Sequence, residues 1–210
     1  MLDDDLLQRT LGTALRTGGD FAEVFVEDRV GSSAALDDGR IEELGSSRRR
    51  GAGIRVVVGD TTGFAHTADL SEAGLRAAAE AAASAASGGG GETRTIALTR
   101  RTADPTHAVR ERPDAIAKAA KVDALRRADA AAREETAEGG AISQVRASYA
   151  DAARRILIAN SDGLLIEDEQ VRTRFGVECT ATTDAGLQRG FESPGRTLGW
   201  EMFDEIPPEE

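Results

Sequence analysis

Val171-Arg172-Thr173-Arg174-Phe175-Gly176-Val177-Glu178-Cys179-Thr180-Ala181-Thr182 alternates two sets of residues, Val171, Thr173, Phe175, Val177, Cys179 and Ala181 against the rest. A period of two sends successive side chains to opposite faces of an extended chain. The stretch therefore predicts one long strand with a polar face. Upstream, Ile142–Tyr149 and Arg154–Ala159 alternate in the same way, Asn160-Ser161-Asp162-Gly163 is a turn signal, and Leu164–Asp168 leaves it. Downstream, Gly190–Gly199 reads as a glycine-containing loop and Glu201–Glu210 as an acidic end broken by proline. The last third is thus a β meander.

The first third repeats the pattern. Ala22, Val24 and Val26 alternate with Glu23, Phe25 and Glu27 over residues 20–28. Ser32–Leu36 and Ile41–Leu44 flank Asp37-Asp38-Gly39, an Asp-Gly hairpin signal. Ile54–Val58 is a β-branched run that Gly59-Asp60 turns back into Thr61–His66, so about five strands are expected here. Three helices are predicted around these meanders. Residues 2–17 carry Leu7, Leu11 and Leu15 at i+4 spacing. Asp69-Leu70-Ser71-Glu72 matches a capping box with Asp69 as cap, before a helix whose buried face is Leu75, Ala78, Ala79, Ala82 and Ala86. Pro113 suits a first helical position, and Ile116, Val122, Leu125 and Ala128 are the apolar positions of a helix running to about Glu135. Between them, Gly88–Gly91 forms a connector, Thr95–Leu98 a short strand and Asp104-Pro105 a turn. Strand runs separated by helices without regular βαβ alternation indicate an α+β fold with mainly antiparallel sheet meanders and two to three packing helices.

Composition narrows the function. The 210 residues carry a net charge of −11, so the chain lacks the basic field of a nonspecific nucleic-acid binder. One cysteine excludes a disulfide framework. The acidic start Met1-Leu2-Asp3-Asp4-Asp5 is unlike a signal peptide, and no apolar run approaches the ~20 residues of a membrane span, so a cytoplasmic location away from membranes is expected.

Candidate chemistry is sparse. A catalytic zinc site takes about three protein ligands plus an open position. The chain has two histidines, His66 at a strand end and His107 in a proline-containing loop, and both read as ordinary histidines. Cys179 falls on the apolar side of its strand and reads as a structural thiol, since a thiolate nucleophile needs an electropositive setting. Asp37-Asp38 and Glu42-Glu43 sit around a hairpin, where solvated charge is normal. Gly51-Ala52-Gly53 precedes a strand, whereas a dinucleotide loop follows one. Arg48-Arg49-Arg50 reads either as a grip on an acidic partner or as a charged edge that resists strand-to-strand aggregation. The loop that ends at Trp200 holds Ser193 and Arg196. Such loops carry binding contacts, and its tryptophan is equally able to pin the loop to the body. Ser193, Arg196 and Trp200 are the candidate cleft or interface residues.

Several segments together resemble the TldD/PmbA family of zinc metallopeptidases: Phe21–Asp28, Asp38-Gly39-Arg40-Ile41-Glu42, Arg50–Val57, Thr62–Leu70, Ile156–Gly163 and Gly190-Phe191-Glu192-Ser193-Pro194-Gly195-Arg196. The Gly63–Leu70 stretch is similar to the TldD branch. The resemblance implies an N-terminal α/β domain over 1–190, with 88–113 connecting its halves, and the start of a linker over 191–210. It implies that the zinc ligands, an H-E-x-x-x-H helix and a distant cysteine, lie in a domain after Glu210, where the motif's Glu acts as general base. Zinc is then expected in the full-length protein and not on this chain, no catalytic or metal residue is carried over, and Cys179 does not match the ligand cysteine. Implied partners are that C-terminal domain, a TldE/PmbA-like or identical subunit, and an extended, unfolded peptide as substrate. The alternative is a non-catalytic scaffold that pairs with a TldD/TldE-type subunit. An exposed apolar surface is expected where the further domain packs.

Overall fold

The computed structural model describes residues 2–86, 96–103, 108–135 and 140–210. Its elements are α1 (Asp4–Leu15), β1 (Phe21–Asp37), β2 (Arg40–Val58), β3 (Thr61–Thr67), α2 (Glu72–Ala86), β4 (Thr99–Thr102), α3 (Lys118–Glu134), β5 (Gly140–Asn160), β6 (Leu164–Thr183), β7 (Gly186–Glu192), β8 (Gly195–Arg196) and α4 (Met202–Glu205). The strands pair in the order β3-β2-β1-β5-β6-β4, and β7 and β8 also pair with β6. The pairings of β3, β7 and β8 are antiparallel, while β4 runs parallel to β6. The fold is α+β.

The chain forms two compact units, each built from three separated segments. Unit 1 is Met1–Arg29, Arg49–Pro105 and Arg155–Glu169; unit 2 is Val30–Arg48, Thr106–Arg154 and Gln170–Glu210.

In unit 1, Asp3 caps α1 by accepting the Leu6 N–H at 2.8 Å. The stripe Leu7, Leu11 and Leu15 is buried with Val24, Ile54, Val56, Leu157 and Leu165. Helix α2 buries Leu75, Ala78, Ala79, Ala82, Ala83 and Ala86. Its alanines let the helix backbone settle on β3 at Gly63, where a Cβ would stand 2.0 Å from the Ala82 carbonyl oxygen and 2.5 Å from the Ala86 nitrogen. The cap of α2 differs from expectation. Asp69 Oδ1 accepts the Ser71 N–H, closing an Asx turn, and Ser71 Oγ accepts the Gly74 N–H, so Ser71 caps the helix.

In unit 2, Leu125, Ala124 and Ala128 of α3 pack with Leu36, Tyr149, Phe175 and Met202. Pro113 opens a 3₁₀ turn over Pro113–Ala115, and α3 begins only at Lys118. Residues 191–210, expected to begin a linker, include the buried Met202 and the core-packed Leu198, Trp200 and Phe203.

Strand number is the main correction. The five strands expected in the first third are three, because β1 and β2 run on without a break. Residues 40–50 of β2 are mostly exposed, so pairing there needs no apolar period to mark it. The expected breaks around Ala150–Ala153 and Glu169-Gln170 likewise lie inside β5 and β6. The strand expected at Thr95–Leu98 lies at Thr99–Thr102, where Thr99↔Leu164 opens a parallel pairing. Thr95, the Gly88–Gly91 connector, the Asp104-Pro105 turn and His107 lie outside the described residues. The expected loop from Gly190 starts as strand: Gly190 is in β7, opposite Cys179 of β6.

A candidate cleft on unit 2

Neighbouring strands bring one cluster of polar side chains together in unit 2. A cleft of about 410 Å³ is bordered by Asp37 of β1, Arg146 and Ser148 of β5, Arg174 of β6, Phe191 of β7 and Ser193 just beyond β7. Ser193 is fixed from two sides: Arg174 Nε donates to its hydroxyl at 2.8 Å, and that hydroxyl donates to the Phe175 carbonyl at 3.4 Å. Gly176 makes room for this arrangement, since a Cβ there would stand 2.8 Å from Ser193 Oγ.

The two guanidinium groups of the cleft differ in their partners. Arg146 Nε donates to Asp37 Oδ2 at 2.9 Å, and Gln144 Nε2 donates to Oδ1 of the same carboxylate at 2.7 Å. The Gln144 bond, joined by Arg146 and opposed by partial burial, holds the Asp37 carboxyl below its ordinary value. Arg174, by contrast, is hydrogen-bonded to a neutral hydroxyl. Its remaining guanidinium donors are open to a carbonyl or carboxylate from outside, in a cleft that Glu42, Glu178 and Glu192 also border. Phe191, 76% exposed, adds an apolar rim.

Of the three sequence candidates, Ser193 lines this cleft. Arg196 is exposed on β8, opposite Thr173 of β6, with its side chain turned back to the Gly195 carbonyl. Trp200 is half-buried, its ring 4.6 Å from that of Phe203 and 5.6 Å from that of Tyr149, which pins its loop to the body of unit 2. Glu201 fastens the same loop by accepting the N–H groups of Arg110 and Glu111 at 2.9 and 3.0 Å. Burial alone would raise the Glu201 carboxyl. The N–H groups of Arg110, Glu201, Glu111 and Gly199 overcome it and hold the group below its ordinary value.

A buried polar cluster had no counterpart in the sequence reading. Lys121 Nζ donates to Asp151 Oδ2 at 2.6 Å, Ser32 Oγ at 2.7 Å and the Pro113 carbonyl at 2.8 Å. Asp151 in turn accepts the Ser32 N–H and hydroxyl. All three ammonium protons are used and a carboxylate faces them, so Lys121 is built as a tie from α3 to β1 and β5 and not as a base for Ser32. The signal was present: Lys121 stands on the stripe of Leu125 and Ala128, and Asp151 continues the inward series Val145, Ala147, Tyr149.

Among the described residues, no group of three or more His, Cys, Asp and Glu side chains could hold a metal ion. His66 lies against the Phe64 ring with centroids 6.4 Å apart. Cys179 is half-buried, and burial pushes its thiol up. The described residues do not fit a zinc site.

Two family models match in order along the chain: PmbA/TldA metallopeptidase domain 1 over residues 22–86, and the PmbA/TldA metallopeptidase central domain over residues 111–210. The chain belongs to the PmbA/TldD metallopeptidase family. Within this family, a metalloprotease TldD homolog of Haemophilus influenzae is 27% identical over 89% of the chain and 38% of its own length. A Methanothermobacter thermautotrophicus metalloprotease is 27% identical over 91% and 40%. The chain thus spans about two-fifths of the length of these curated relatives. Among solved structures, TldE from Thermococcus kodakarensis superposes with a TM-score of 0.68 at 15% identity, covering 91% of this chain and 43% of that one. A Thermotoga maritima protein described as a candidate modulator of a DNA gyrase gives a TM-score of 0.76 at 17% identity, over 98% and 45%. These likenesses carry the PmbA/TldD fold of the chain.

Proposed function

We propose that this chain is the N-terminal part of a TldD-like zinc metallopeptidase of the cytoplasm that acts on unfolded or extended peptides. The observation that carries the reading is the ordered match of two family domains, with metalloprotease relatives aligned over nearly all of the chain and only two-fifths of themselves. In this reading the zinc ligands and the general base belong to a domain that follows Glu210. Leu187, 73% exposed on β7 and outside the cleft, supplies an apolar contact for it to cover. A TldE/PmbA-like or identical subunit completes the enclosure.

The cleft of unit 2 is the candidate substrate contact. Arg174 and Ser193 are posted to hold polar groups of an extended peptide, Phe191 to take an apolar side chain, and Arg196 to meet an acidic group beside them. Trp200 keeps its loop in place. The test is hydrolysis of an unstructured peptide by the complete protein, with and without its TldE-type partner. The proposal expects cleavage that a chelator abolishes and zinc restores. Cleavage indifferent to chelation, or none in any pairing, overturns it.

A further inference from the structure

The sheet of unit 1 has two unlike faces. Val24, Val26, Ala52, Ile54 and Val56 point to the side that α1 and α2 cover. Alternation sends Phe25, Gly51, Gly53, Phe64 and His66 to the opposite side, where Gly53↔His66 and Arg55↔Phe64 are cross-strand pairs of β2 and β3. These five residues line a shallow pocket of about 350 Å³. That is the small end of ligand clefts, which run roughly 300–1,000 Å³, so it suits a side chain and not a large cofactor.

Glycine gives the pocket its shape. A Cβ at Gly53 would stand 3.0 Å from two carbons of the Phe64 ring, so its absence lets that ring lie across β2. The ring is still 61% exposed, and His66 stacks beside it. Past the last β2–β3 pair, Ala52↔Thr67, the exposed Arg49 and Arg50 border the same pocket. Among the described residues neither guanidinium has an ion-pair partner, whereas Glu27, the acid that also borders the pocket, already has an interaction within the chain. The charge left to meet a ligand is therefore positive, beside an apolar slot. We propose that this pocket binds a peptide segment in which an apolar side chain is flanked by acidic residues. The apolar group enters the slot lined by Phe25 and Phe64, and the carboxylates beside it meet Arg49 and Arg50. Binding of this kind needs no metal and does not rest on the peptidase reading. Single-stranded nucleic acid also favours aromatic and arginine surfaces, but a net charge of −11 repels it.

Fluorescence anisotropy tests this on the 210-residue chain, and on the complete protein with a chelator present to prevent cleavage. The probe is a labelled peptide with one phenylalanine between pairs of glutamates. Binding that salt weakens is expected. It should fall about fivefold or more when the peptide's phenylalanine becomes serine, or its glutamates become lysines. Phe64→Ser, and Arg49→Glu together with Arg50→Glu, should each weaken it by about the same factor. These side chains are exposed, so circular dichroism of the variants should match the parent. No binding, equal binding of the lysine peptide, or binding indifferent to both variants overturns the inference. A preference for a single-stranded DNA oligonucleotide also overturns it. So does binding by the 210-residue chain that the complete protein lacks, which would give this face to the further domain.

Discussion

Lys121 Nζ lies 2.6 Å from Asp151 Oδ2, and the two side chains are only 4% and 3% exposed. The pair joins α3 to β5 inside unit 2, and the Lys121 ammonium also stands 5.2 Å from the centre of the Tyr149 ring. Taking one partner from such a pair leaves a charge buried without its counterion, which costs roughly 3–5 kcal/mol. Lys121→Met should therefore destabilise the chain by about 3 kcal/mol or more in urea unfolding. Lys121→Met combined with Asp151→Val should recover part of that loss. A single-variant loss below about 1 kcal/mol would show that the pair is not desolvated as described.

Glu201 gives the fold a dependence on acid. Its carboxyl is held below its ordinary value of 4.5 in the folded chain, with burial opposed by the backbone donors around Arg110, Glu111 and Gly199. A depressed carboxyl contributes stability that is present above the unfolded value and lost as pH falls through the folded one. Melting curves from neutral pH down to about pH 3 should show Glu201→Gln less stable than the parent at neutral pH. The gap should narrow on acidification below the ordinary value. A gap constant across that range contradicts this role.

Two glycines should respond oppositely to alanine. At Gly63 the added Cβ would meet the Ala82 carbonyl and the Ala86 nitrogen of α2, all backbone, so Gly63→Ala should cost about 1–3 kcal/mol. At Gly12, within α1, nothing lies within 4 Å, and Gly12→Ala should stabilise by roughly 0.5–1 kcal/mol through helix propensity. Thermal melts of the two variants check both signs.

The sequence marks an element where an apolar face meets the core or a turn demands positive φ. The Leu7, Leu11, Leu15 stripe marked α1 because one face of it meets the core. Asp38 and Gly39 marked the β1–β2 turn because both adopt positive φ, 49° and 78°. Strand continuity is not marked at Arg40–Arg50, since a strand mostly exposed on both faces keeps its pairing without an apolar period. Across β5 the inward alternation does continue, but through the charged Asp151, which breaks its apolar reading. Lys121 and Asp151 each stood at an inward position of its own element. Their partnership exists only once α3 is laid on β1 and β5, which no local pattern encodes. The cleft is similar: Arg174 and Ser193 meet because β7 folds back along β6, and the sequence there read as loop.

If the cleft of unit 2 holds peptide, Arg174 is its most exposed dependence. Arg174→Glu in the complete protein should lower kcat/KM for an unstructured peptide by about tenfold or more, as a hydrogen bond to a charged group contributes roughly 1.5–3 kcal/mol. Its melting temperature should stay near the parent's, because Ser193 keeps its bond to the Phe175 carbonyl. Unchanged kinetics would place substrate elsewhere.

The most direct measurement is zinc content by elemental analysis, on the 210-residue chain and on the complete protein purified alike. No stoichiometric zinc is expected on the 210-residue chain, and one tightly held zinc on each complete subunit. One zinc held by the 210-residue chain, or none by the complete protein, contradicts it.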